Sequence, residues 1–147
     1  MINVKIETKY HGEKEIAKED IITFSSGIPG FESEKEFALL TFPDNDVFYA
    51  LQSISTPSLS FVVTDPFSFF IDYNVQIDDA TIEALSIEKE EDVTLLNILT
   101  VRDPFEETTA NLQAPLVINK KINSGRQLIL TGTPYETRHS LFQAKEA

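Results

Sequence analysis

Hydrophobic and polar residues alternate with a period of two in segment after segment of this chain, and this pattern most constrains its fold. Side chains of a β-strand point alternately to opposite faces, so the alternation predicts strands. The same segments are rich in β-branched and aromatic residues, which favour strands. The predicted strands cover residues 2–7, 37–42, 59–64, 93–101, 112–119 and 125–130.

Turn-forming residues separate the predicted strands. Glycine, proline, asparagine and aspartate adopt the backbone angles that tight turns require. Residues 119–125 predict a hairpin loop, and Pro115 inside a strand pattern predicts an edge strand or a bulge. The other predicted turns are His11-Gly12, Gly27–Gly30, Pro43–Asp46 and Thr56–Ser58.

Residues 78–86 have a different pattern. Asp78 is a candidate N-cap, and Ile82 and Leu85 are three residues apart, as on one face of a helix. We therefore predict one short amphipathic helix. Acidic residues continue beyond it, with seven acids and one lysine between positions 78 and 92. Such a run is usually a solvated surface, but it also suits a basic partner. The candidate contacts are Glu83, Glu88, Glu90 and Glu91.

These elements predict a mainly β protein, either an antiparallel β-barrel-like fold or a sandwich, with one short helix. A chain of 147 residues with 41% hydrophobic residues can bury a substantial core. The sequence contains neither a linker-like stretch nor a break in composition. We therefore expect a single domain over residues 1–147.

An aromatic segment follows the third predicted strand. Phe67, Phe69, Phe70 and Tyr73 place four of the fifteen aromatic residues within seven positions. In an extended chain, Phe67, Phe69 and Tyr73 would share one face with Ile71. Phe70 and Asp72 would then lie on the opposite face. We regard Phe70 and Asp72 as candidate partner contacts, with a place in a second core as the alternative for Phe70.

The net charge is strongly negative. Twenty-four acids and twelve bases give −12 at pH 7, a field that repels phosphate backbones and anionic membranes and attracts basic proteins. The chain contains no cysteine, begins without a signal-peptide pattern, and has no apolar run of about 20 residues. We expect a cytoplasmic protein that binds neither nucleic acid directly nor membrane.

Residues that could perform catalysis are scarce. The two histidines, His11 and His139, lie in no recognisable nucleophile or metal-binding pattern, and no phosphate-binding glycine loop occurs. We expect no enzymatic activity, no catalytic residue, no metal and no cofactor. A hydrolase that uses a pair of carboxylates is the alternative, because such a pair cannot be recognised in so acidic a sequence.

Several segments in this order resemble the FliW family of flagellar assembly factors, from about residue 4 to residue 142. They include Gly27-Ile28-Pro29-Gly30-Phe31-Glu32, Leu51-Gln52-Ser53 and residues 111–119, and it is the set in this order, rather than any single motif, that is specific. The others are residues 5–12, 24–26, 61–67, 109–110 and 135–142, the last including Thr137-Arg138-His139.

The resemblance implies a small, non-enzymatic β-barrel-like protein of the cytoplasm. Members of the family bind CsrA, a basic RNA-binding translational repressor, and prevent it from silencing flagellin mRNA. They also bind flagellin, which couples flagellin translation to its secretion. The resemblance assigns no residue to either partner. A structural subunit of the flagellum is a further alternative.

Overall fold

A computed structural model describes residues 3–43 and 45–142, and its central feature is a closed ring of seven strands. Ile2 of the first predicted strand and Asp44 of one predicted turn lie outside the described residues. In chain order the strands are β1 (Asn3–Glu7), β2 (Glu13–Ala17), β3 (Ile22–Thr23), β4 (Glu36–Phe42), β5 (Asn45–Ser53), β6 (Ser60–Thr64), β7 (Val93–Thr100), β8 (Thr109–Ala110), β9 (Leu116–Asn119), β10 (Ser124–Gln127) and β11 (His139–Ser140).

The order of strands around the barrel is β3-β4-β5-β6-β7-β9-β10. Two pairings close the ring: β7 lies antiparallel to β9, and β10 meets β3 at Ser124 and Thr23. The β10–β3 pairing is parallel, so the expectation of a purely antiparallel sheet holds everywhere in the barrel except at this short contact. Closure distinguishes the barrel from the predicted sandwich alternative, and it pairs strand edges that an open sheet would expose.

Alternate residues of each strand point into the barrel, as the period-two pattern predicts. Phe37 and Leu39 of β4 belong to the interior cluster, whereas Ala38 and Leu40 face outward. Leu51, Val63, Leu96 and Leu116 fill the interior from four further strands. Phe24 packs edge-on against Phe37 with ring centroids 5.6 Å apart. Large, fully buried side chains therefore make the barrel a packed core rather than a channel.

The outward faces of the strands are also covered. The β1–β2 hairpin places Ile6 and Ile16 against Ala38, Leu40 and Ala50. A second outer cluster lies beside β7 and β8 and a third beneath the helix. Their buried members are Tyr73, Leu99, Ala110, Leu112 and Leu141 in the second cluster, and Leu85, Val117, Leu128 and Leu130 in the third. Burial on both faces explains why several strands carry few polar residues.

The predicted helix is α1 (Asp79–Ala84), and the carboxylate of Asp78 caps it by accepting a hydrogen bond from the Thr81 N–H at 3.2 Å. Thr81 and Leu85 form its buried side, whereas Ile82 is exposed. The N-cap and the helix are therefore confirmed. The predicted pairing of Ile82 with Leu85 on one buried face is wrong, because the buried side of the helix passes through Thr81 and Leu85, four positions apart, and Ile82 lies outside it.

The predicted hairpin at residues 119–125 is confirmed, since Ser124 of β10 pairs with Asn119 of β9. The strand predicted for 112–119 begins only at Leu116. Upstream of it, the Asn111 side chain accepts hydrogen bonds from Gln113 N–H and Ala114 N–H, at 3.1 and 3.0 Å. This asparagine turn, followed by Pro115, prevents regular pairing before Leu116.

The motif Leu51-Gln52-Ser53 has a structural role. The buried Gln52 amide accepts a hydrogen bond from Lys9 N–H at 3.0 Å and donates one to Pro57 O at 3.1 Å. It therefore links the turn of the β1–β2 hairpin to the β5–β6 turn. The Ser53 and Thr56 hydroxyls donate to Glu34, at 2.6 and 2.7 Å. These hydrogen bonds lower the pKa of Glu34. The resulting stabilisation is present above its ordinary value of 4.5 and is lost as pH falls through the lowered pKa.

We predict that Gly27→Ala destabilises the protein far more than Gly12→Ala. Both glycines have positive φ, +71° and +65°, which costs an alanine about 1–2 kcal/mol. A Cβ at Gly27 would also lie 2.5 Å from the Glu32 carbonyl oxygen, whereas one at Gly12 would meet nothing within 4 Å. Urea unfolding of both variants measures the difference. Equal losses would show that the 24–35 loop moves freely to make room.

Candidate functional site

The aromatic segment forms a 3-10 helix and turns instead of an extended strand, and it is called the coiled segment below. Asp65 caps a 3-10 helix, Pro66–Ser68, by accepting a hydrogen bond from the Phe67 N–H at 3.0 Å. Phe70 N–H then donates to Pro66 O at 2.8 Å, and Tyr73 N–H donates to Phe70 O at 3.0 Å. The predicted shared face is therefore wrong. A capping aspartate followed by proline is a helix-start signal, and it overrides the strand-like composition.

The coiled segment distributes its aromatic side chains among different environments. Tyr73 is buried, Phe69 and Phe70 are half-buried, and Phe67 is 44% exposed. Phe70 packs at the edge of the outer cluster beside β7 and β8, with its ring centroid 6.3 Å from that of His139. It lines a cleft of about 360 Å³ together with Tyr135 and His139, and the exposed Asp72 also lines it. Phe70 thus combines a packing role with an accessible face.

Tyr73 anchors the segment to the barrel. Its hydroxyl donates to the Leu112 carbonyl at 2.6 Å and accepts from the Asn97 side-chain amide at 3.3 Å. Its ring packs edge-on against Tyr135, whose hydroxyl accepts from Asn74 N–H at 3.0 Å. Burial raises the pKa of Tyr73 to about 12. Tyr73, which also lines the cleft that contains Phe70, is therefore held in place by the barrel.

We predict that Tyr73→Phe lowers the free energy of unfolding by about 1–3 kcal/mol at neutral pH, because the Leu112 carbonyl loses its donor. The raised pKa of Tyr73 also predicts how the free energy of unfolding changes with pH. The hydroxyl stabilises the fold fully below its ordinary pKa of 10 and loses that effect as pH rises toward 12. Urea unfolding at pH 9 and pH 11 should therefore show a larger loss in the wild type than in the variant. Parallel losses would argue against this role.

The four acidic candidates are all exposed. Glu83 lies on α1, Glu88 follows it, and Glu90 and Glu91 belong to the 3-10 helix Glu90–Asp92 that leads into β7. Over residues 3–43 and 45–142, Lys121 and Glu88 form the one ion pair, at 3.4 Å, with both side chains more than half exposed. Such a pair contributes little to stability. The acidic surface is therefore left largely uncompensated.

Part of the acidic run lies beside the aromatic segment, and the aromatic residue that shares a cleft with it is Phe67, not Phe70. Glu88 and Glu90 line a cleft of about 380 Å³ with Val75, Ile77 and Val93. Glu90 also lines an adjoining cleft of about 320 Å³ that contains Phe67. Phe70 and Asp72 line a different cleft, which none of the four acidic candidates lines. Glu83 and Glu91 line neither of the two acidic clefts.

Sequence reasoning missed the parts played by Phe67 and Asp65. Phe67 shares a predicted face with Phe69 and Tyr73, which favours a core interpretation. The signal that could have placed it at the surface is Asp65-Pro66, because the cap starts a 3-10 turn in place of an extended strand. Asp65 is exposed and lines another cleft, of about 330 Å³, with Phe67.

Within the described ranges, no three or more histidine or acidic side chains are grouped so as to hold a metal ion. No helix among the described residues is both long and apolar enough to span a membrane.

The fold and these surfaces define a class of protein: a small closed β-barrel with covered outer faces and with several clefts at its surface. The sequence model of the FliW protein family matches residues 5–141. The chain belongs to the FliW family, and this confirms the resemblance drawn from its motifs.

Individual relatives are similar over almost their whole length. The "Flagellar assembly factor FliW" of Geobacillus kaustophilus is 54% identical over 144 residues, covering 98% of this chain and 99% of the relative. The protein of the same name from Bacillus subtilis is 44% identical over 136 residues, covering 92% and 95%. A solved structure, "Crystal structure of the flagellar assembly factor FliW", has 54% identity and a TM-score of 0.91, covering 95% of this chain and 97% of that one. The mainly β fold is thereby confirmed.

Proposed function

We propose that this chain is a cytoplasmic flagellar assembly factor that antagonises CsrA, the basic RNA-binding repressor of flagellin translation, and also binds flagellin. By binding either protein it couples flagellin translation to secretion. The names of its relatives support the flagellar role. The role requires neither a catalytic residue nor a cofactor, and the whole chain, residues 1–147, acts as one FliW-like domain.

The uncompensated acidic surface is the observation that supports CsrA binding most strongly. Glu83, Glu88, Glu90 and Glu91 are exposed on neighbouring elements, and Glu88 alone among them has an ion-pair partner within the described chain. A chain of net charge −12 attracts a basic protein and repels RNA. Attraction of this kind mainly raises the association rate, whereas fitted contacts provide specificity.

We assign partner contact to six residues on two surfaces. Phe70 and Asp72 line the aromatic cleft, and their side chains offer an apolar contact beside a negative charge. Glu83, Glu88, Glu90 and Glu91 make up the acidic surface. Two separate surfaces leave room for two different partners.

Titration with purified partners tests this function. We expect the protein to bind CsrA stoichiometrically and to release a labelled flagellin leader RNA from it. Flagellin added afterwards should bind the protein and restore the CsrA–RNA complex. Repeating the titration at several RNA concentrations establishes whether RNA and this protein compete directly. The proposal would be refuted if the protein failed to bind CsrA or failed to bind flagellin.

The same preparation separates the alternatives. Self-association at micromolar concentration without binding to CsrA would favour a structural flagellar subunit. Turnover of a carbohydrate or peptide substrate that is lost on removal of two carboxylates would favour a hydrolase.

A further inference from the structure

We propose that the groove beside the first half of β7 is a binding site for one segment of the basic partner. That segment carries an aliphatic side chain next to lysine or arginine. This inference rests on the proposed function, and it names the chemistry of the partner at that site. It also makes Phe67, rather than Phe70, the apolar contact of the acidic surface.

The groove consists of three clefts that adjoin one another, because neighbouring clefts share lining residues. The clefts of about 380 and 320 Å³ have Val75, Ile77, Glu90 and Val93 in common. The cleft of about 320 Å³ and the next, of about 330 Å³, have Phe67, Val93 and Leu95 in common. Together the adjoining clefts extend from Glu88, past Phe67, to Asp65 and Tyr49.

The floor of the groove is apolar and accessible. Val75, Ile77, Val93 and Leu95 are half-buried, so each keeps part of its surface open to the groove. Phe67 is 44% exposed, and its one aromatic neighbour among the described residues is Tyr73, at 6.1 Å between ring centroids. The cap at Asp65 nevertheless fixes its backbone. An ordered, half-exposed aromatic residue in a groove is the kind of residue that dominates binding energy at protein interfaces.

The rim of the groove determines the charge of its occupant. Asp65, Glu88 and Glu90 contribute three carboxylates, against the ammonium group of Lys89 in the lining and that of Lys121, which pairs with Glu88. Glu90 lines two of the three clefts, and no ion pair is formed by it within the described chain. Carboxylates around an apolar floor complement a cation beside an aliphatic side chain. They oppose an acidic or phosphate-bearing ligand by the same rule.

The other large clefts offer less to a basic segment. A cleft of about 420 Å³ is lined by Asn74, Gln76 and residues 128–135, and Asp78 is its one acid. Asp72 is likewise the one acid of the aromatic cleft, which also contains His139. The groove beside β7 therefore fits a basic apolar segment best.

Three short labelled peptides of equal length test the occupant by fluorescence anisotropy. One contains lysine and leucine, the second glutamate and leucine, and the third lysine and serine. We expect the lysine–leucine peptide alone to bind well. Equal binding of the lysine–serine peptide would show that charge alone is recognised, and no binding of the lysine–leucine peptide would likewise overturn the inference.

Two substitutions locate the site. Phe67→Ser should weaken binding of the lysine–leucine peptide by about tenfold. Phe31→Ser is the matched control, because Phe31 is 42% exposed but lies outside the groove, and it should leave the affinity unchanged. Glu90→Gln, a variant that leaves the apolar floor intact, should weaken binding several-fold at low salt. Equal effects of Phe67→Ser and Phe31→Ser, with both variants folded, would overturn the inference.

Purified CsrA in the same assay distinguishes failure of this inference from failure of the proposed function. If CsrA binds wild type and Phe67→Ser equally, the binding site lies elsewhere and the proposed function stands. If CsrA does not bind the wild type, the proposed function itself fails. The inference requires that CsrA binds and that Phe67→Ser weakens it by about tenfold.

Discussion

Replacing Phe37 with alanine should lower the free energy of unfolding by about 3–5 kcal/mol, the largest stability effect that we predict. Phe37 is fully buried in the barrel and packs against Phe24 and Phe61, at centroid distances of 5.6 and 6.1 Å. Its removal leaves a cavity inside the barrel, which cannot collapse fully without disturbing the strand pairing. Thermal and urea unfolding should both detect the loss, with a melting temperature lower by roughly 10 °C.

Phe67→Ala is the matched comparison. The same atoms are removed from a side chain that is 44% exposed, so the expected loss is below about 1 kcal/mol. Similar losses in the two variants would mean that Phe67 belongs to the core and that the groove is closed in solution. A small loss for Phe37→Ala would instead call the packed barrel into question.

Reversing the charge of Glu88, Glu90 and Glu91 to lysine should produce the largest effect on binding. Long-range attraction raises association rates by about 10–10³-fold, so we expect association with CsrA to slow at least about tenfold at low salt. The dependence of the rate on salt should become correspondingly flatter. Stopped-flow mixing at a series of salt concentrations measures both quantities.

A control must change the net charge equally at another place. Glu7, Glu13 and Glu15 are exposed on the β1–β2 hairpin, and their reversal to lysine alters the total charge by the same amount. We expect this second triple variant to slow association much less. Equal slowing would assign the effect to overall charge, and unchanged rates in both variants would reduce the acidic run to solvated surface.

The fold was predictable where one face of a strand differs from the other. Alternation located β4, β6 and β7, and Asn119–Gly125 identified the β9–β10 hairpin. The longest strand, β5, was missed because Val47 to Leu51 is a continuous apolar run with no alternation. Such a run cannot be distinguished from a buried helix segment by periodicity. β2 was missed for the opposite reason, since Ile16 is its one buried residue.

The pairings that close the barrel were not predictable from local sequence. The contacts between β10 and β3 join residues about one hundred positions apart, and nothing in either segment specifies the other. Two-residue strands such as β8 and β11 are too short to show any period.

The candidate site was predictable in composition but not in arrangement. Exposure of Glu83, Glu88, Glu90 and Glu91 followed from their charge and clustering. The exposure of Phe67 depended instead on the turn that Asp65 and Pro66 begin, which replaced the extended segment expected there. That Glu90 and Phe67 line one groove depends on how β7 packs beside the coiled segment, so only the tertiary structure could bring them together.

The central claim is that a negatively charged exterior captures a basic protein. Its most direct test is the association rate constant of the wild-type protein with CsrA, measured from low to high ionic strength. We predict a steep decline as the salt shortens the range of attraction, to about 8 Å at physiological ionic strength and about 3 Å at 1 M. A rate constant that stays level across this range would contradict the claim.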